Sequence, residues 1–205
     1  MKVLSFLAIS FIVMAAQCNK GSTPCVFGGY SFKVTSEFIP QAQAYSIGDT
    51  IFLYSTFSKT LQDLINTSLN IDYSNSTGIG GDLGIASLDS INNISKPAKD
   101  SFHFIDLKGR FIERNFNEDG GINFHYLETN SSYIFHGAIV CKKKGLYAIS
   151  VDNLMSRGIQ GENCTNASFA MTVTNTEKNL QWYENALNIT LPQSSIDKMY
   201  CFKVE

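Results

Sequence analysis

Thr50-Ile-Phe-Leu-Tyr-Ser-Thr-Phe57 is rich in β-branched and aromatic residues and follows the turn signal Gly48-Asp49. Residues of those types fit a pleated, half-buried surface, so the stretch reads as a strand. The segment before it makes the same case by alternation. Tyr30, Phe32 and Val34 interleave with Ser31, Lys33 and Thr35 as far as Phe38. A period of two puts one set of side chains on a core and the other in solvent. Two such strands within 30 residues, with no long helix between them, set the reading of the rest.

Downstream the pattern repeats. Leu61, Leu64 and Ile65 within Ser58–Leu69 have the spacing of a short helical turn, and Ile71–Tyr73 reads as a brief strand. Residues 74–100 contain Gly78, Gly80, Gly81, Gly84 and Pro97 and read as a long loop with short ordered pieces. Ser101–Leu107 and Arg110–Arg114 flank Lys108-Gly109 as a hairpin, and Asn117–Gly121 is a turn. Ile122–Leu127, Tyr133–Cys141, Leu146–Val151, Phe169–Val173 and Met199–Val204 are further strands. Lys178–Leu187 carries a helical stripe, and 152–166 reads as a polar loop. Eight or nine short strands separated by turns predict a mainly β fold: an antiparallel β-sandwich with one short helix near the C-terminus.

The chain has 205 residues, with 16 Lys+Arg against 18 Asp+Glu and 44% hydrophobic residues. The charge is too balanced for a protein that grips nucleic acid by neutralising phosphates, so no nucleic-acid partner is expected. The apolar content exceeds that of disordered chains.

At the N-terminus, Lys2 precedes an uncharged apolar run from Val3 to Ala16. Basic start, apolar run and small residues are the order of an export signal, and the run is too short to span a bilayer. Ala15-Ala16-Gln17-Cys18 resembles a bacterial lipobox, departing from it at Gln17. The expected organisation is a lipoprotein-type signal peptide at 1–17, a tether at 18–29 and a β-sandwich domain at 30–205. Acyl chains on Cys18 would then make the membrane a partner. With Cys18 acylated, Cys25, Cys141, Cys164 and Cys201 remain, enough for two disulfides in any of three connectivities. Export makes disulfides the expectation over metal ligation.

Seven Asn-x-Ser/Thr sequons begin at Asn66, Asn75, Asn93, Asn130, Asn163, Asn166 and Asn188. They are read as by-products of an Asn- and Ser-rich composition, with a secreted eukaryotic N-glycoprotein as the alternative.

Nothing in the chain has the pattern of an enzyme. His103, His125 and His136 lack close spacing, and neither a metal nor another cofactor is expected. Glu113, Glu118 and Asp119 surround a Gly-Gly turn, where such residues serve turn geometry. Gly78–Gly84 lacks the strand–loop–helix frame of a phosphate-binding loop. Lys142–Lys144 reads as a solvated hairpin tip. Trp182 and Tyr183 are the candidate ligand contacts, as an aromatic pair able to meet a glycan.

Tyr45-Ser-Ile-Gly-Asp-Thr-Ile-Phe-Leu-Tyr-Ser-Thr-Phe57 resembles the opening of Ig-like β-sandwich domains in Bacteroidota lipoproteins. Gly145–Val151 and Met199–Glu205 are similar to strands of the same proteins. The resemblance implies a cell-envelope lipoprotein, anchored in the outer membrane, with a non-enzymatic binding or scaffolding role toward an envelope protein or glycan. A carbohydrate-binding module of a glycan-uptake system is the alternative.

Overall fold

In β3 (Thr50–Ser58), Ile51, Leu53, Ser55 and Phe57 are buried while their neighbours face outward. The alternation seen in the sequence thus becomes one wall of a core. The structure is a computed structural model that describes residues 29–113, 122–157 and 166–205. Most of the described strands belong to a single, strongly bent sheet that folds into two facing leaves.

The first leaf is built from β1 (Gly29–Ile39), β3, β12 (Ser132–Cys141), β8 (Phe102–Lys108) and the short β11 (Leu127–Glu128). β12 lies between β3 and the pair β8 and β11. The second leaf centres on β13 (Gly145–Arg157) and β6 (Thr77–Asp89). One edge of β13 carries β15 (Met199–Val204) and then β14 (Asn166–Val173). One edge of β6 carries β10 (Ile122–His125) and then β7 (Ile94–Pro97), and β9 (Arg110–Glu113) pairs with β10.

β1 joins the leaves. Its residues 36–39 pair antiparallel with β3, while 29–36 run parallel to β14. A second parallel pairing sets β2 (Ala44–Tyr45) beside β15. The sheet is therefore mixed rather than wholly antiparallel. The mainly β sandwich is as expected, with two short helices in place of one: α1 (Gln181–Leu187) and α2 (Gln193–Ile196).

Aromatic rings from both leaves interlock between them. Phe57 meets Phe169, Phe38 stacks on Tyr200, Phe102 meets Tyr147 and Phe202, and Phe124 lies 4.6 Å from Phe135. Burying each such ring contributes on the order of 2–3 kcal/mol. A smaller cluster lies outside the second leaf, where Met199 and Cys201 of β15 pack with Ala186 and Leu191 under the two helices.

Several sequence expectations need correction: residues 152–157, read as polar loop, continue β13, and β8 and β9, read as one hairpin, pair with β12 and β10 instead. The glycine-rich stretch is not a loop but β6, the thirteen-residue central strand of the second leaf. Its glycines leave room for close neighbours: a Cβ on Gly80 would stand 2.5 Å from the Phe124 carbonyl oxygen, and one on Gly84 would stand 2.7 Å from Ser150 Oγ. The suggested helical turn near residue 61 is instead a hairpin, β4 (Thr60–Gln62) with β5 (Asn70–Asp72). The signal peptide, most of the tether, Cys18, Cys25, Cys164 and the Asn117–Gly121 turn lie outside the described residues.

Candidate functional site

The outer face of the second leaf and the two helices enclose a groove of about 450 Å³. Its floor is the paired stretch Gly84–Ala86 of β6 and Ala148–Asp152 of β13. Ser95–Pro97 of β7 form one wall; Tyr183 of α1, with Ser194 and Ser195 of α2, forms the other. Gly84 matters here because any side chain would collide with Ser150 and fill the floor. The chain between the helices is held by the Glu184 carboxylate, which accepts from the Leu191 N–H at 2.8 Å.

The groove carries both signs of charge. Lys198 Nζ donates to Asp152 Oδ1 at 2.7 Å, and Lys96 stands on the β7 wall. Among the described residues, the hydroxyls of Ser95, Ser150, Ser194, Ser195 and Tyr183 make no hydrogen bond to protein groups. Burial pushes the Tyr183 phenol above its ordinary value, with Cys201 adding to the effect. At neutral pH it is a neutral donor and acceptor beside an apolar ring face. Hydroxyls, one aromatic face and a few charges suit a small polar ligand.

Tyr183 lines this groove, and Trp182 does not. Trp182 packs against the outer cluster with Lys203 Nζ 5.1 Å from its ring centroid. Adjacent helical residues point about 100° apart; both rings pack on the outer cluster, and of the two only Tyr183 also lines the groove.

The three histidines are not brought together. His103 pairs across from Val140, His125 sits between Gly80 and Arg110, and His136 lies between Phe52 and Tyr54 on the outside of the first leaf. Burial first, then Arg110, lowers the pKa of His125. Among the described residues no three His, Cys, Asp or Glu side chains are grouped for a metal ion. Lys142, Lys143 and Lys144 are exposed between β12 and β13 as a solvated turn, but those strands lie in different leaves and do not pair, so the turn is not the expected hairpin tip.

Cys141 and Cys201 are free, buried thiols. They belong to different clusters, Cys141 to the core between the leaves and Cys201 to the cluster beneath the helices. The two are not bonded to each other, and their remaining candidate partners, Cys25 and Cys164, lie outside the described residues. Burial pushes Cys141 up to about 11 and Cys201 up to about 12.

No protein-family model matches the chain, and no curated protein matches it. Among solved structures, the human F-spondin reeler domain aligns at 10% identity and a TM-score of 0.35, covering 77% of this chain and 95% of that one. The second type II cohesin module of the ScaA scaffoldin of Acetivibrio cellulolyticus aligns at 7% identity and 0.31, covering 66% and 92%. A type II cohesin domain from the cellulosome of the same organism aligns at 12% identity and 0.27, covering 67% and 95%. These likenesses are too distant to carry function, and the β-sandwich assignment rests on this chain's own strands.

Proposed function

We propose that this chain is a lipid-anchored protein of the bacterial cell envelope, held in the outer membrane through Cys18, whose β-sandwich binds a ligand without transforming it. The binding role is carried by the groove beside Tyr183, where five hydroxyls without protein partners surround one aromatic ring. Those groups favour a saccharide, whose hydroxyls need partners and whose apolar face packs on a ring. An envelope protein segment is the competing occupant. On a glycan array, the wild type and Trp182→Ala bind a common saccharide, and Tyr183→Ala loses at least tenfold in affinity. No binding by folded wild type, or equal binding by the Tyr183 variant, rejects the saccharide.

The anchor and the cysteines are tested together by intact mass from the native host, before and after reduction. Cys25 and Cys164 precede Gly29 and Asn166 by four and two residues, and Gly29 and Asn166 are Cα partners at the head of β1 and β14. Four residues reach at most about 14 Å, and on that reach Cys25 and Cys164 are taken as the candidate pair. The expected species starts at Cys18, carries acyl mass and has one disulfide, Cys25–Cys164. A second disulfide contradicts the two free thiols, and an unacylated chain removes the anchor.

A specific observation supports the alternative of a secreted N-glycoprotein. The sequon residues Asn66, Asn75, Asn93, Asn130 and Asn188 are all exposed. Asn75, Asn93 and Asn188 also have positive φ of 52–55°, as befits turn tips. Heavy, heterogeneous glycan mass in the same measurement selects this reading over the envelope lipoprotein.

A further inference from the structure

The loop closing the β4–β5 hairpin exposes three aliphatic side chains: Leu64 at 48%, Ile65 at 74% and Leu69 at 43%. The residues between Ile65 and Leu69 are Asn66, Thr67 and Ser68, so the tip from 64 to 69 carries no charge. The preceding carboxylate is turned inward. Asp63 accepts from the N–H groups of Ser31, Ile65 and Asn66 at 3.0–3.2 Å. The loop is fastened in place, because the Asp63 N–H donates to Leu69 O and the Leu64 N–H to Ser31 O, at 3.1 and 2.7 Å. Exposed aliphatic residues on a fixed, uncharged turn call for a partner surface.

The position of the tip identifies that surface. Ser31 is two residues from Gly29, where the described chain begins. Gly29, Asn166, Arg157 and Thr77 are successive register partners, so they mark one end of the sheet. β6 runs from that end to Asp89, twelve steps of about 3.3 Å or roughly 40 Å. Ten residues lie between Cys18 and Gly29, and if they form the tether expected from the sequence, eleven such steps would span about 18 Å on average. A lipid on Cys18 therefore holds the Gly29 end, and the 64–69 tip with it, against the bilayer. The Lys142–Lys144 turn, next to the Gly145–Val204 pairing, lies at the opposite end with Ile91.

We propose that the 64–69 tip is a lipid-contact element, with Leu64, Ile65 and Leu69 entering the bilayer surface beside the acylated Cys18. This rests on the anchoring reading above. It fixes the orientation of the sandwich, with the Gly29 end facing the membrane and the opposite end presented outward. It also makes Asn66, within the tip, incompatible with a bulky glycan in the anchored protein.

The test uses the full acylated protein in vesicles containing brominated phospholipid, which quenches tryptophan at the bilayer. Trp182 gives the background signal of the wild type. Ile65→Trp and Ile91→Trp each add one reporter at an exposed turn, one at either end. Ile65→Trp is expected to raise the quenched fraction at least twofold over wild type, and Ile91→Trp to leave it unchanged. Protein that floats with the vesicles but shows no added quenching at position 65 overturns the lipid contact while leaving the anchor standing. Equal quenching at both positions overturns it as well. Protein that does not float overturns both the anchor and the contact.

Discussion

At the scale of single residues, the glycines of β6 carry the tightest constraint. Glycine weakens a strand through backbone entropy and the lack of a packing side chain. β6 nevertheless places Gly80 and Gly81 opposite His125 and Phe124 in the ladder. A Cβ on Gly81 would stand 2.9 Å from the Phe124 ring, and one on Gly80 would stand 2.5 Å from a backbone oxygen. A ring can shift by a few tenths of an ångström, whereas a ladder carbonyl can move only with its strand. Gly80→Ala should therefore destabilise the fold by about 2–4 kcal/mol through overpacking. Gly29→Ala is the matched control, since nothing stands within 4 Å of its Cβ position, and it should change stability by less than about 0.5 kcal/mol. Urea denaturation of both variants checks this, and equal midpoints would show that β10 does not press on β6 at this point.

At the scale of elements, what could be read ahead depended on whether the signal was local. β1 announced itself by alternation, with one face on the core and one toward solvent, and β3, β12 and β15 by runs of apolar, β-branched and aromatic residues. β6 did not, since a strand whose neighbours need space spells itself in glycine, the residue that otherwise marks turns. The hairpin of β4 and β5 was hidden for a different reason. Leu61 packs on the core while Leu64 and Ile65 are exposed, so an apparent helical stripe mixed inward and outward residues. The parallel pairing of β1 with β14 joins residues more than 130 positions apart, and no local pattern encodes a partner that distant. The candidate site shows the same division. Tyr183 was legible as an aromatic on a short helix, next to Trp182, which does not line the groove. Gly84, Ser95, Ser150, Ser195 and Lys198 join the groove only because β6, β7, β13 and the turn after α2 meet in space. Gly84 was the one sequence clue, and its meaning depended on Ser150 standing opposite.

At the scale of the whole molecule, the interior between the leaves is closed with tyrosine hydroxyls as well as hydrocarbon, and this sets how stability depends on pH. Tyr45 and Tyr200 share a hydrogen bond of 3.0 Å, Tyr126 donates to Ser55 at 2.7 Å, and Tyr73 bonds Ser156. Burial is the largest cause holding the phenols of Tyr45 and Tyr126 well above their ordinary range, and it pushes Tyr133 up to about 12. The Cys141 and Cys201 thiols are raised for the same reason. Each group is neutral in the folded protein at a pH where the unfolded chain would ionise it, near 8.5 for Cys and 10 for Tyr. A raised acid of this kind gives its full stabilisation below the unfolded pKa and loses it as pH rises toward the folded one. Each group ionised only in the unfolded chain lowers stability by about 1.4 kcal/mol per pH unit. On the acid side, N–H donation from Ser31 comes first in lowering Asp63, and the Asn92 side chain comes first for Asp89. Burial works against Glu128, yet the Asn75 N–H and Lys59 still hold it low. Those contributions are present above about pH 4 and fade as pH falls through the folded values. Urea denaturation from pH 3 to 11 should show a plateau between about pH 5 and 8. The fall above pH 9 should be steeper than the fall below pH 4, because five groups raised by burial act on the alkaline side against three lowered carboxylates on the acid side. Thiol titration should run in parallel, with Cys141 and Cys201 unreactive until the alkaline limb begins. A flat profile to pH 11 would mean that these phenols and thiols are open to water, and that the two leaves do not close on one another as described.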